Sequence, residues 1–439
     1  MKTETAKGCS SCLEKIVVFL IVILVLPILI YVLFFYSIIP FYFEADLVTG
    51  NSVALHENTL AIGSSAYNNS VAYVLLLEEK GDKWVQKDLF NVSNIGLGNY
   101  DSMHLALSDD YLAVGFSNFS IIPGCVLTFY KDGKNGKWKR GKKILMTDDC
   151  CSLSLGGNKL LVGDNAGKVY LYELAERKIK LKYKFHSPDK DNEGIFGSYT
   201  SISKDEVIIS DSVYNRYIIS KSQIRVKEPP KSAEGKVYFY KKIDNDYILE
   251  KTIAAENFIE YAAGRSFGEK FAKNNDIIIV HDSEELFAFD VKNDTGKPLW
   301  TIEAAYNFDS YGNKFITTGQ EGVKLYTMNK NGINLINSFD YESASFISAV
   351  PYITDEFMIL SDKSIYDNIV EREKLKTKAD KEGRKEVIPE IENQGRVHIY
   401  RLLPDYSYVE EAIIARRKNT QTGKLEFYNM LEKTDLPNL

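Results

Sequence analysis

From residue 52 onward, short apolar runs alternate with polar turns, and one ordered pattern returns seven times. Its first part is a turn-former followed by a dense apolar run: Asn58-Thr-Leu-Ala-Ile-Gly63, Asp110-Tyr-Leu-Ala-Val-Gly115, Asn158-Lys-Leu-Leu-Val-Gly163, Asp205-Glu-Val-Ile-Ile-Ser210, Asn275-Asp-Ile-Ile-Ile-Val280, Asn313-Lys-Phe-Ile-Thr-Thr318 and Asp355-Glu-Phe-Met-Ile-Leu360. Asn or Asp opens each copy. These side chains tolerate turn backbone and bond to it, so each copy predicts a tight turn entering a buried strand. The second part alternates β-branched or aromatic residues with others, as in Gly167-Lys-Val-Tyr-Leu-Tyr172, Gly235-Lys-Val-Tyr-Phe-Tyr240 and Gly395-Arg-Val-His-Ile-Tyr400. That alternation is the mark of a half-buried strand. A third part starts at Trp84, Trp138, Tyr247 and Tyr408, and a short strand such as Ser52–Leu55 or Ser102–Leu105 precedes the first.

Each unit therefore holds four antiparallel strands, and successive units lie mostly about 40–50 residues apart. One such sheet cannot cover both of its faces. Stacking sheets around an axis buries the faces between neighbours and leaves only short outer edges. The expected fold is all-β, a seven-bladed β-propeller of four-stranded antiparallel blades. Its expected blades are 52–90, 101–147, 150–186, 196–255, 266–304, 308–341 and 345–415, within a domain spanning 44–417. Small residues in the first part (Ala61, Gly63, Ala113, Gly115) are expected to fit the crowded axis. A pair of β-sandwiches is the competing arrangement, and seven copies of one ordered motif favour the ring. Closure of the ring stays open between a strand at Tyr42–Val48 and the 418–439 tail, where Lys424-Leu-Glu-Phe-Tyr428 can add a strand.

Ahead of the repeats, Ile16–Phe43 is a run without a charge. As a helix it would extend about 42 Å, more than the roughly 30 Å of bilayer hydrocarbon. Pro27 would kink such a helix without breaking it. A cleaved signal peptide has a shorter apolar region ending in a small-residue site, and Pro40-Phe41-Tyr42-Phe43 offers none. The expectation is a retained signal-anchor helix over 16–43, one transmembrane pass in contact with lipid. Lys2, Lys7 and Lys15 precede it, and the next basic residue after it is Lys80. The positive-inside rule then places residues 1–15 in the cytoplasm and the propeller outside it. Cys9 and Cys12, next to the helix in so short a segment, suit reversible palmitoylation.

Composition narrows the function. A net charge of −6 gives no footprint for nucleic acid. Cys125, Cys150 and Cys151 are odd in number, so the domain is not a disulfide scaffold.

At Phe196-Gly-Ser-Tyr-Thr-Ser-Ile-Ser-Lys-Asp-Glu-Val-Ile-Ile-Ser210, continuing to Gly235-Lys-Val-Tyr-Phe-Tyr240, the chain resembles the FG-GAP repeat of integrin-α-like propellers. Ser266-Phe-Gly-Glu-Lys-Phe-Ala272 is a shorter match, and Trp84-Val-Gln-Lys87 is similar to the tail of that repeat. The resemblance is clearest over 196–255 and weaker over 52–90 and 266–304. It implies an extracellular seven-bladed propeller used for adhesion or assembly, usually not an enzyme. The family's acidic cation loop is missing from all seven units.

Motifs for chemistry are sparse. His56, His104, His186, His281 and His398 are scattered without ligand spacing, with His398 read as a packed or surface strand residue. Gly96-Leu-Gly98 is a lone G-x-G. Asp189, Asp191 and Glu193 stand as a calcium loop begins, but position twelve is Thr200, so the ligand set is incomplete. No other cofactor is indicated. Asn68, Asn91, Asn118 and Asn293 open glycosylation sequons. Residues 211–234 and 361–394 are insertions between second and third strands, and they emerge on the face that also carries the blade-to-blade connections. The expected function is non-enzymatic: a membrane-anchored propeller offering that face to a protein or glycan partner. The alternatives are a propeller hydrolase with acidic or histidine residues converging at the channel mouth, and a purely structural membrane subunit.

Overall fold

The turn in front of each apolar run is where the fold begins. In three hairpins the residue before the motif's Asn takes the left-handed conformation (Glu57, φ 48°; Gly157, φ 60°; Gly312, φ 61°), and in a fourth it is Asn275 itself (φ 48°). The Asn thus marks the turn, while the residue before it usually bears the unusual backbone.

The computed structural model describes residues 47–66, 72–81, 83–93, 102–117, 124–176, 178–189, 195–212, 235–255, 266–282, 285–293, 296–303, 305–319, 321–339, 349–362, 395–418, 425–429 and 434–435. The 16–43 run, Cys9 and Cys12 lie outside them. Among the described residues no helix is long and apolar enough to cross a membrane. Residues 47–439 form one compact unit.

Its strands run in chain order. Blade 1 is β1 (Leu47–His56), β2 (Thr59–Ala66), β3 (Ala72–Lys80) and β4 (Lys83–Asn91). Blade 2 is β5 (Ser102–Leu107), β6 (Tyr111–Ser117), β7 (Cys125–Lys131) and β8 (Trp138–Leu145). Blade 3 is β9 (Cys150–Gly156), β10 (Lys159–Asp164), β11 (Lys168–Ala175) and β12 (Lys178–His186). Blade 4 is β13 (Ile195–Ile202), β14 (Glu206–Ser212), β15 (Lys236–Ile243) and β16 (Asp246–Ala254). Blade 5 is β17 (Lys270–Asn274), β18 (Ile277–His281), β19 (Glu285–Asp290) and β20 (Trp300–Glu303). Blade 6 is β21 (Ala305–Tyr311), β22 (Lys314–Gly319), β23 (Gly322–Asn329) and β24 (Gly332–Phe339). Blade 7 is β25 (Val350–Ile353), β26 (Phe357–Asp362), β27 (Arg396–Leu402) and β28 (Tyr408–Lys418), extended by β29 (Leu425–Asn429) and β30 (Thr434–Asp435). Each sheet is antiparallel with its strands side by side in sequence order.

Seven hydrophobic clusters make these sheets a ring. Val74, Leu76, Val114 and Phe116 join blades 1 and 2. Val126, Ile144, Leu160 and Val162 join blades 2 and 3. The sequence continues through Leu161 with Ile209, Phe239 with Ile278, Ile279 with Phe315, and Ile316 with Leu360. The seventh cluster returns to the start, packing Phe357, Ile359 and Ile399 on Leu60, Ile62 and Trp84. The second strand of every blade is buried on both faces, which is why the sequence motif there is a continuous apolar run. The structure is therefore the expected seven-bladed propeller.

Two sequence expectations change. Ala61, Gly63, Ala113 and Gly115 sit on second strands, one strand away from the axis. Their smallness serves the neighbouring blade: a Cβ on Gly63 would lie 2.6 Å from Met103 Sδ, and one on Gly115 would lie 2.7 Å from Cys150 Sγ. Among the described residues, ring closure uses no exchanged strand. Leu47 and Val48 open blade 1, and the C-terminal tail adds to blade 7, which already has four strands. Its Leu425–Asn429 strand pairs with β28 and sends Phe427 into the closing cluster.

Inner strands are also stitched by polar side chains. Ser52 Oγ accepts the Leu105 N–H at 3.1 Å, Ser154 Oγ accepts the Ile202 N–H at 3.0 Å, and Asp309 Oδ2 accepts the Ile353 N–H at 2.9 Å. Each bond satisfies a backbone donor on the edge that a blade turns toward the axis.

Candidate site in the central channel

The first strands of the blades surround a cavity of about 1180 Å³. Among its lining residues are His104, Tyr199, Glu269, Asp309, Tyr311 and Tyr352, contributed by five blades. Glu57, Asn58, Asp355 and Glu356 from first hairpin turns also line it, so it reaches the ring end where those turns lie.

On one side of the channel a charged group gathers. Glu269 and Lys270 open blade 5, and Asp309 stands on the first strand of blade 6. Lys270 Nζ lies 5.4 Å from the Phe308 ring centre and 6.0 Å from that of Tyr352. An ammonium above two rings is held by the negative faces of their π-systems. Burial pushes the Lys270 amine below its usual range, while Asp309 and Glu269 pull it back up. Burial raises the Asp309 carboxyl, opposed by Lys270 and by the Ile353 and Ser310 N–H groups. Burial, then the Asp282 charge, raises Glu269. Tyr199 and Tyr352 are both pushed up by burial. Perturbed groups of both signs meeting in a cleft can hydrogen-bond a polar ligand and exchange protons with it.

This group escaped the reading of motifs because its members come from separate blades. A signal existed, however. Phe196-Gly197-Ser198-Tyr199 and Phe267-Gly268-Glu269-Lys270 share a register. In both, the Phe is buried and the Gly has a left-handed φ (96° and 84°). The residues that follow the bend are delivered to the channel wall.

A second unread pattern closes the second strands: Leu161-Val-Gly-Asp164, Ile208-Ile-Ser-Asp211, Ile279-Val-His-Asp282 and Ile359-Leu-Ser-Asp362. Asp164 Oδ1 accepts the Lys168 N–H at 2.9 Å, and Asp282 Oδ1 accepts the Glu285 N–H at 2.9 Å. Asp164 and Asp282 thus tie the turn into the third strand, a structural duty.

The other candidates disperse. Asp189 is paired with Lys236 at 2.6 Å, while Asp191 and Glu193 lie outside the described residues. Asn91 is exposed at the end of blade 1's outer strand. Asn293 is exposed too, and its Nδ2 donates to Asp290 Oδ2 at 2.9 Å. Asn68 and Asn118 lie outside the described residues, as does the Gly96–Gly98 loop. Cys125, Cys150 and Cys151 are free thiols, with Cys125 pushed up to about 11 by burial. His56 meets Asp109 at 3.0 Å beside Glu57 on exposed turns, and that bond accounts for the group's closeness. His398 is buried and bonded to Glu410 at 2.7 Å.

His281 yields a pH prediction. It is 5% exposed, and its Nε2 donates to Ala305 O at 3.0 Å, joining blades 5 and 6. Burial holds it below its ordinary 6.5, and Lys270 adds to that, while the Ala305 bond and Asp282 oppose. Its other nitrogen lies 3.9 Å from Glu269. With the folded value depressed, the unfolded chain takes the proton first, so stability falls as pH drops below about 6.5. The raised Asp309 and Glu269 act with the opposite sign. The expected result is that His281→Gln flattens the fall in melting temperature between about pH 7 and pH 5 relative to wild type. An unchanged slope would remove His281 from the account.

No family model matches the chain, and no curated protein matches it. Solved structures do. The WD40 propeller domain of Doa1 is 12% identical, covering 72% of this chain and 90% of that one, with a TM-score of 0.46. BamB from Moraxella catarrhalis is 10% identical over 72% of this chain and 91% of that one, at 0.40. A protein from Lactobacillus plantarum is 12% identical over 86% of this chain and 96% of that one, at 0.46. The ring itself rests on the sheets and clusters described above, and no function is taken from these likenesses.

Proposed function

We propose that this chain is a membrane-anchored propeller whose loop-bearing face binds a protein partner outside the cytoplasm, as an adhesion or assembly scaffold. The observation that carries the binding role is the closed, densely packed ring. Its longest strand connections, 213–235 and 363–395, both join second to third strands. In a ring of identically wound blades such connections leave on one face. A rigid disc presenting long connections from separate blades suits the recognition of a macromolecule. The uncharged 16–43 run and the lysines before it support the anchor and its orientation. The FG-Gly bends at Phe196 and Phe267 support kinship with FG-GAP propellers. A glycan remains the alternative ligand on that face, with palmitate on Cys9 or Cys12 and glycans on the four sequons as proposed modifications.

The test uses the full chain in its native membrane. Alkaline extraction should leave it with the lipid, and protease added outside the cytoplasmic compartment should reach the 363–394 connection. Cross-linking followed by mass spectrometry should recover a partner joined to residues of 213–235 or 363–395, and shortening 363–394 should lose it. Cross-links confined to the opposite ring end would sink the reading.

One observation favours an enzyme as the second reading: Glu269 and Asp309 line one channel beside Lys270. Turnover from a glycan or ester library that Glu269→Gln abolishes, without loss of fold, would select it.

A further inference from the structure

The rim of the disc is electrically uneven in a way the net charge conceals. The outer strands of blades 2 and 3 touch. The first carries Lys139, Arg140, Lys142 and Lys143, the second carries Lys178, Lys180, Lys182 and Lys184, and neither holds an acidic residue. All eight cations are exposed. The other outer strands give the contrast: those of blades 1, 4 and 7 mix signs, and those of blades 5 and 6 hold no cation. Among their contacts, Lys139 meets Asp132, Lys182 meets Glu173, and Lys184 lies 5.4 Å over the Tyr170 ring. The protein as a whole carries −6. A concentrated basic wall on an acidic protein is not produced by bulk composition.

Exposed apolar side chains share the same sector. Leu145, 72% exposed, ends blade 2's outer strand, and Leu181, 50% exposed, stands among the lysines of blade 3. Ile248, 51% exposed, follows on the outer strand of blade 4. Cations alone suit any polyanion. Cations interleaved with exposed Leu and Ile suit a surface that is charged at its face and apolar beneath it, because lysine stems and leucines enter the interface while the ammoniums stay with the headgroups.

From this we infer that the outer wall of blades 2 and 3 docks edge-on against an anionic lipid surface. The inference stands on residues 139–184 and does not need the anchor. Each lysine near such a surface contributes about fivefold to binding, and salt screens the attraction within a Debye length.

The experiment is amine footprinting of the full chain, read by mass spectrometry. The chain is incubated or reconstituted with phosphatidylcholine bilayers, and in parallel with bilayers also containing phosphatidylglycerol. Acylation of Lys142, Lys178, Lys180 and Lys184 should fall several-fold only with phosphatidylglycerol and recover at high salt, while Lys292 of blade 5 is labelled equally in both. The double variant Lys142→Glu/Lys180→Glu changes exposed positions and should keep its circular dichroism while losing the protection of Lys178 and Lys184. Equal labelling in the two bilayers overturns the proposal. So does protection by soluble heparin in neutral bilayers without protection by phosphatidylglycerol, which would reassign the wall to a polyanionic glycan.

Discussion

Replacing Gly235 by valine is expected to cost more than about 3 kcal/mol and to separate blades 4 and 5. The position gives backbone no room. A Cβ there would lie 1.8 Å from the Phe267 carbonyl oxygen, 2.7 Å from its carbon and 3.1 Å from its Cα. All three are main-chain atoms, so no rotamer change relieves the contact. Phe267 itself is fully buried against Val237 and Phe239, with its ring centre 6.1 Å from Phe287 and 6.2 Å from Phe289. Pushing its backbone away therefore opens the whole interface between the two blades. Alanine should show the same effect in weaker form, since even one carbon overlaps. Gly133 is the control: nothing lies within 4 Å of a Cβ there, so Gly133→Ala should stay within about 0.5 kcal/mol of wild type. Urea melts of the three proteins decide it. A Gly235→Val chain as stable as the control would mean that blades 4 and 5 do not touch as described.

The same glycine shows what was legible in the sequence. It was visible as the first residue of Gly235-Lys-Val-Tyr-Phe-Tyr240, and the strand it opens was found from alternation alone. The reason it must be glycine was not visible, because Phe267 belongs to the next repeat. Local features of this kind were readable throughout: the apolar runs became second strands because burial on both faces favours apolar residues at successive positions, with the few buried polar ones gathered toward the strand ends. Trp84, Trp138 and Tyr247, read as outer-strand starts, are the buried aromatics that fold back between blades. Lys424–Tyr428 was readable as a strand because it keeps alternation after the last repeat. What depends on the ring was hidden. The channel group draws Lys270 and Asp309 from different blades; Lys270 stands in the Phe267-Gly268-Glu269-Lys270 stretch, but Asp309 stands in no recognised motif. The basic wall was equally hidden, since the two lysine-rich strands are contiguous only once blades 2 and 3 stack. In a repeat fold, sequence gives the unit, and the chemistry between units appears when neighbours are placed side by side.

Removal of the Phe357 ring is expected to open the ring where its ends meet. Among the described residues blades 1 and 7 exchange no strand, and side-chain packing joins them. Phe357, 2% exposed, lies edge-on to Trp84 with ring centres 5.1 Å apart, and the Arg401 guanidinium sits 4.8 Å over its face. Arg401 in turn spans the seam: its Nη2 is 2.5 Å from Glu79 Oε1 on blade 1, and its Nε donates to Glu411 on blade 7. Glu79 and Arg401 are 322 residues apart in the chain, so holding them together opposes the entropy of a long loop. Phe357→Ala should cost about 3–5 kcal/mol from the lost burial and the cavity left behind. Arg401→Met should cost about 3 kcal/mol, the low end for stripping one partner from a buried pair, because the arginine side chain remains a quarter exposed. Hydrogen exchange gives the sharper test. If the seam is the weak point of the circle, either variant should raise exchange in blades 1 and 7 before blades 3 to 5 respond. The double variant Glu79→Gln/Arg401→Met should be less destabilised than the sum of its parts, since Glu79 is then no longer left as an unpaired charge, while Glu411 loses its arginine partner in the single and the double variant alike. Exchange rising uniformly around the ring would instead mean that closure is shared by all seven interfaces, with no privileged junction between first and last blade.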